Sequence, residues 1–71
     1  PNNFMTDEAI LLHLLNKTTI VVDNTWYFTG RSMECSNSAD FECCSDYYES
    51  IEEALESIRR LAGKSGKIAL L

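Results

Sequence analysis

Residues 17–31 read KTTIVVDNTWYFTGR, and this stretch decides the fold class. Lys17 to Asp23 is rich in branched side chains, which sit well on a pleated surface and lose rotamer freedom in a helix. Thr25 to Arg31 adds Trp26, Tyr27 and Phe28, so a second strand follows the first. Asp23 and Asn24 separate the two runs, and because Asn tolerates positive φ the pair predicts a tight hairpin. In the second strand Trp26 and Phe28 point one way while Tyr27 and Thr29 point the other. Gly30 marks either a bulge or the end of that strand.

Upstream of the hairpin, Thr6 is placed to cap a helix, with Asp7 and Glu8 favourably set in its first turn. The helix should run to about Asn16, because Ile10, Leu11, Leu14 and Leu15 recur at helical spacing and Leu12 widens the stripe. His13 reads as an exposed or hydrogen-bonded helix residue, and Phe4 and Met5 as cover for one edge of the core.

Downstream, Ser36 to Asp40 (SNSAD) is polar and turn-forming. The flanking ECS and FECCSDYY segments are expected to pair around it, completing a three-stranded antiparallel meander with Phe41, Cys43 and Ser45 on one face. Ser50-Ile51-Glu52-Glu53 is a capping box, in which Ser50 bonds the N–H of Glu53 and Glu53 reaches back. Ile51, Ala54, Leu55, Ile58, Leu61 and Ala62 then repeat at helical spacing as far as Gly63, a natural C-cap. Glu56 is one turn ahead of Arg60 and is expected to pair with it. Lys67 to Leu71 (KIALL) returns as an edge strand or packs as an apolar end.

The expected fold is therefore α+β: helix, three-stranded antiparallel meander, helix and a short C-terminal strand, with both helices on one sheet face. Ile10, Leu11, Leu14, Leu15, Ile20, Val22, Trp26, Phe28, Leu55, Ile58 and Leu61 form the expected core. Seventy-one residues make one small domain, near the size at which a single core only just suffices. An apolar fraction of 45% argues for a folded chain.

Chemistry-bearing patterns are sparse. Gly63-Lys64-Ser65 lacks the glycine that a phosphate-binding loop needs five positions earlier, where Ile58 stands, and it follows a helix instead of a strand. One His far in sequence from the thiols, with carboxylates that look solvated, makes no catalytic constellation. We expect no enzyme activity and no cofactor. Cys35, Cys43 and Cys44 with His13 match the ligand count of a zinc site, but no C-x-x-C knuckle is present. Three cysteines are not the even count of a secreted disulfide framework, so packed, reduced thiols are the expectation. A bond from Cys35 to Cys43 or Cys44 is the alternative that a hairpin would allow. No secretory signal or run of roughly 20 apolar residues is found, and the reading is a cytoplasmic protein. Pro1 is compatible with removal of an initiator Met, giving the expectation of a whole small protein.

Charge is the one strong asymmetry. Residues 32–58 carry Glu34, Asp40, Glu42, Asp46, Glu49, Glu52, Glu53 and Glu56 with no Lys or Arg, within a chain of net charge −5. A solvated face that keeps a small protein soluble would explain this. The functional reading is a partner-binding surface formed by Asp46, Tyr47, Tyr48, Glu49, Glu52, Glu53 and Glu56. It would imitate a phosphate track and dock on a basic protein, one that handles nucleic acid. Nucleic acid itself would be repelled. In size and charge the chain is similar to the small acidic inhibitors of phages, a likeness of class without a shared motif. The alternatives are a cysteine-based metal or redox module, and a homodimer whose small core is completed by self-association.

Overall fold

The computed structural model describes residues 5–36 and 45–71. The elements run α1 (Asp7–Leu15), β1 (Thr19–Val22), β2 (Trp26–Thr29), β3 (Ser32–Cys35), β4 (Asp46–Tyr47), α2 (Ile51–Ala62) and β5 (Ile68–Leu70). The strands form one sheet in the order β4-β3-β2-β1-β5, with every neighbouring pair antiparallel. The α+β order of helix, meander, helix and C-terminal strand is as the sequence predicts, and the sheet is wider than three strands.

The extra strand comes from Gly30. Its φ of +62° turns the chain after Thr29, so that Thr29 pairs with Ser32 and the aromatic strand ends there. A positive φ at the first of two loop residues, carried by glycine, is the requirement of a tight type II′ hairpin. Asp23 and Asn24 take φ of +57° and +60° in the preceding turn, where Val22 pairs with Trp26. Residues 37–40 of the expected turn and the strand face of Phe41 and Cys43 lie outside the described residues, as does Phe4. The expected pairing of ECS with FECCSDYY is not seen among the described residues; the DYY end pairs instead with the residues before ECS, Ser32 with Tyr47 and Met33 with Asp46.

Both helices cover one face of the sheet. Directly opposed residues on antiparallel strands share a face, which aligns Ile20 with Phe28 and Phe28 with Met33 across the three central strands. Ile10 and Leu14 from α1, and Ala54, Ile58 and Ala62 from α2, join them in one buried cluster with Val22 and Ile68. Burying each large side chain contributes about 1.5–3 kcal/mol against leaving it in water. Trp26, Leu55 and Leu61 pack against this cluster while half-buried. Leu15 does not belong to it, being 65% exposed. Helix α1 is apolar around most of its circumference, yet only Ile10 and Leu14 of it are fully buried.

Helix ends are closed as their sequences specify. The Thr6 hydroxyl accepts from the N–H of Ala9 at 3.1 Å. At the other end of α1 the N–H of Thr18 donates to His13 and that of Lys17 to Leu14, with Lys17 at φ +59°. This is the Schellman arrangement, built with lysine where glycine is usual. The two helices are tied by Arg59, which donates to Asp7 Oδ1 from both Nε and Nη2 and to the carbonyl of Met5. The expected Glu56–Arg60 pair is absent among the described residues; Arg60 turns instead to the Ser57 hydroxyl at 3.3 Å. An exposed pair of this kind is worth only a few tenths of a kcal/mol, too little to hold one rotamer.

Because a left-handed conformation costs a non-glycine residue roughly 1–2 kcal/mol, and glycine in ordinary positions costs about half as much in entropy, Lys17→Gly should raise stability by up to about 1 kcal/mol. Urea midpoints of the two proteins measure it. An unchanged or lower midpoint would show that Lys17 holds its conformation without strain.

Candidate acidic interface

The acidic helix starts where the sheet ends. Tyr48 donates its backbone N–H to the carbonyl of Arg31 at 2.8 Å, leading the chain from β4 towards the β2–β3 turn. Arg31 Nη1 in turn donates to the carbonyl of Glu49 at 2.9 Å. The N-terminus of α2 is thereby fixed against the Gly30–Arg31 turn. Ser50 caps it, accepting from the N–H of Glu53 at 3.2 Å. Glu53 reaches back as the capping box predicts, but it accepts from the N–H of Glu49 at 2.8 Å, one residue before the cap. Its carboxylate is thus tied to the helix start.

The seven residues singled out from the sequence do not share one environment. Asp46 is exposed on β4 and stands opposite Met33. Tyr47 is 67% exposed, and the Arg31 guanidinium carbon lies 4.9 Å from its ring centroid. By register it shares a face with Ser32, on the side of the sheet that the helices leave open. Tyr48 points the opposite way. Its ring stacks on Phe28 with centroids 6.2 Å apart, and its hydroxyl meets Met33 Sδ at 3.6 Å. That ring belongs to the core margin.

Glu49, Glu52 and Glu56 are exposed, together with Glu53. On α2, Glu52 and Glu56 are one turn apart, opposite the buried Ala54 and Ile58, and so lie along the outer surface of the helix layer. The acidic half of α2 faces away from the sheet. Tyr47 and the acids of α2 consequently occupy different sides of the molecule, joined at the edge by Arg31. Arg31 was missed in the sequence because it precedes the acidic block. No local pattern signals that it folds back on it.

Cys35 is disulfide-bonded, against the expectation of packed, reduced thiols. Cys43 and Cys44 lie outside the described residues. Among the described residues no group of three or more His, Cys, Asp or Glu is placed to hold a metal ion. His13 Nδ1 instead lies 3.0 Å from the Thr18 hydroxyl, which itself donates to the His13 carbonyl. Among the described residues no helix is long and apolar enough to cross a membrane.

Comparison with protein-family models, curated proteins and solved structures gives no match.

A bond from Cys35 within the chain uses two of the three cysteines. Alkylation of the unreduced, denatured protein should add one label, and three after reduction. Three labels before reduction would contradict the bond.

Proposed function

We propose that the protein is a non-enzymatic acidic binding protein that inhibits or modulates a basic, nucleic-acid-handling partner by charge and shape complementarity. The observation that carries this reading is the exposed row formed by Glu49, Glu52 and Glu56. These carboxylates make no ion pair with any described residue, and Arg60 is turned away to Ser57. A carboxylate row on a rigid helix presents fixed negative charge, which steers a basic partner and discriminates against acidic ones. The helix is held at both ends, by Ser50 and Arg31 at its start and by Arg59 near its finish, so little order has to be imposed on binding.

Within this reading the seven residues divide their roles. Glu49, Glu52 and Glu56 meet the partner, with Asp46 and Tyr47 at the rim. Glu53 keeps the helix start in place, and Tyr48 supports it from the core. The cytoplasm, where nucleic-acid-handling proteins are abundant, is the proposed compartment. A second reading, a redox-linked module, has the Cys35 bond in its favour, because such bonds persist in oxidising surroundings.

Reversing Glu49, Glu52 and Glu56 to Lys while keeping Glu53 should leave the helical spectrum intact and weaken partner binding at least roughly tenfold. The measurement compares proteins retained from a host extract by the native and reversed forms, at low and high salt. Equal retention by both forms, insensitive to salt, would remove the acidic docking role.

A further inference from the structure

One motif lies outside every role assigned so far. Asn16-Lys17-Thr18 has the Asn-X-Thr pattern, with X other than proline, that an N-linked oligosaccharide needs, and the chain contains no second copy of it. Three residues are few enough to match by chance, so the weight of the pattern depends on where the fold puts it.

The fold puts it in a surface turn. Asn16 ends α1 as its C-cap, and Lys17 at φ +59° carries the chain out of the helix towards β1. Residues 16, 17 and 18 are all exposed. The turn is closed without the Asn16 side chain: the N–H of Asn16 donates to Leu12, that of Lys17 to Leu14 and that of Thr18 to His13. The Asn16 amide group bonds to no described residue, so a large hydrophilic substituent on it would break no contact of the fold. Thr18 is different. Its hydroxyl, on which the pattern depends, donates to the His13 carbonyl at 2.9 Å and lies 3.0 Å from His13 Nδ1. Attachment therefore belongs to the newly made chain, before this turn closes.

Two further observations point the same way. Cys35 is disulfide-bonded, and such bonds form and persist in oxidising surroundings, the endoplasmic reticulum and the cell exterior, where N-linked sugar is attached and carried. Apolar surface also collects beside Asn16. Leu12 is one helical turn before it and on the same side of α1, and Leu15 immediately precedes it. The two leucines are 56% and 65% exposed, left in water by the fold, and an oligosaccharide rooted at Asn16 begins within reach of both.

We propose that Asn16 is an N-linked glycosylation site, and that the attached oligosaccharide shields Leu12 and Leu15. In the step itself Asn16 Nδ2 forms a bond to C1 of the first sugar of a lipid-pyrophosphate-linked oligosaccharide. The bond from C1 to the pyrophosphate oxygen breaks, the lipid pyrophosphate leaves with its electron pair, and one amide proton is lost to solvent. Nothing is oxidised or reduced. The inference rests on the Cys35 bond and the turn at residues 16–18, and it sets the chain in an oxidising compartment instead of the cytoplasm proposed with the docking reading. The acids of α2 have no part in it, so the two stand or fall separately.

The mass of the chain isolated from its source tests it. One oligosaccharide should add to the 8.0 kDa of the polypeptide, and peptide N-glycosidase should remove it with conversion of Asn16 to Asp. Made behind a secretory signal in a eukaryotic cell, the native chain and Thr18→Ser should carry the sugar, and Asn16→Gln and Thr18→Ala should lack it. Removing the sugar should raise the binding of an apolar dye, and the paired change Leu12→Glu and Leu15→Glu should abolish that rise. A chain from its source with the Cys35 bond formed and Asn16 unmodified would overturn the proposal, as would a secreted native chain without sugar. Dye binding unchanged by removal of the sugar would overturn the shielding.

Discussion

Everything in this small domain depends on covering one face of a twisted five-stranded sheet. Ile20, Phe28 and Met33 lie side by side on the three central strands, and Ile10, Leu14 and Ile58 close over them. Removing Phe28 would leave the two layers without their largest shared contact, at a cost of about 3–5 kcal/mol, a large share of the stability of a domain this size. The helices cannot be placed independently of that contact. Arg59 ties the start of α1 to α2, and Arg31 ties the start of α2 to the sheet, so each helix is held at the end that packing alone would leave loose.

That scaffold sorts the acids of the molecule into two kinds. Glu53 is consumed by the helix start, and Asp7 by Arg59. Glu52 and Glu56 on the outer side of α2, and the exposed Glu49 just before its cap, are left with no such duty. The favourable helix dipole accounts for a carboxylate in the first turn, but Glu56 is beyond its reach, since the effect fades within that turn. A row of carboxylates with no structural employment is what the docking proposal rests on.

Much of this was legible in the sequence. The capping box at Ser50, the cap at Thr6, the turn at Asp23-Asn24 and the C-cap at Gly63 are local chemistry, decided within four residues, and each is found where expected. What the sequence could not convey depends on tertiary partners. Leu15 and Leu11 carry the same apolar signal as Ile10 and Leu14, and only the direction of the sheet separates them. Met33, Ala54, Ala62 and Ile68 enter the core because of register and close helix approach, which small or isolated apolar residues do not announce. Arg31 and Tyr48 change meaning on folding: one joins the acidic region from outside its block, and the other leaves it for Phe28. The Cys35 bond escaped a count of three that suggested free thiols.

The central claim is that the acids of α2 divide into one that caps the helix and others free of structural work. Equilibrium unfolding in urea of Glu53→Ala beside Glu56→Ala tests that division most directly. Losing the reciprocal cap at Glu53 should lower stability by about 1 kcal/mol, while Glu56→Ala should stay within about 0.5 kcal/mol of the native protein. If Glu56→Ala destabilised the protein as much as Glu53→Ala, the acidic row would be part of the fold, and the account given for it would be contradicted.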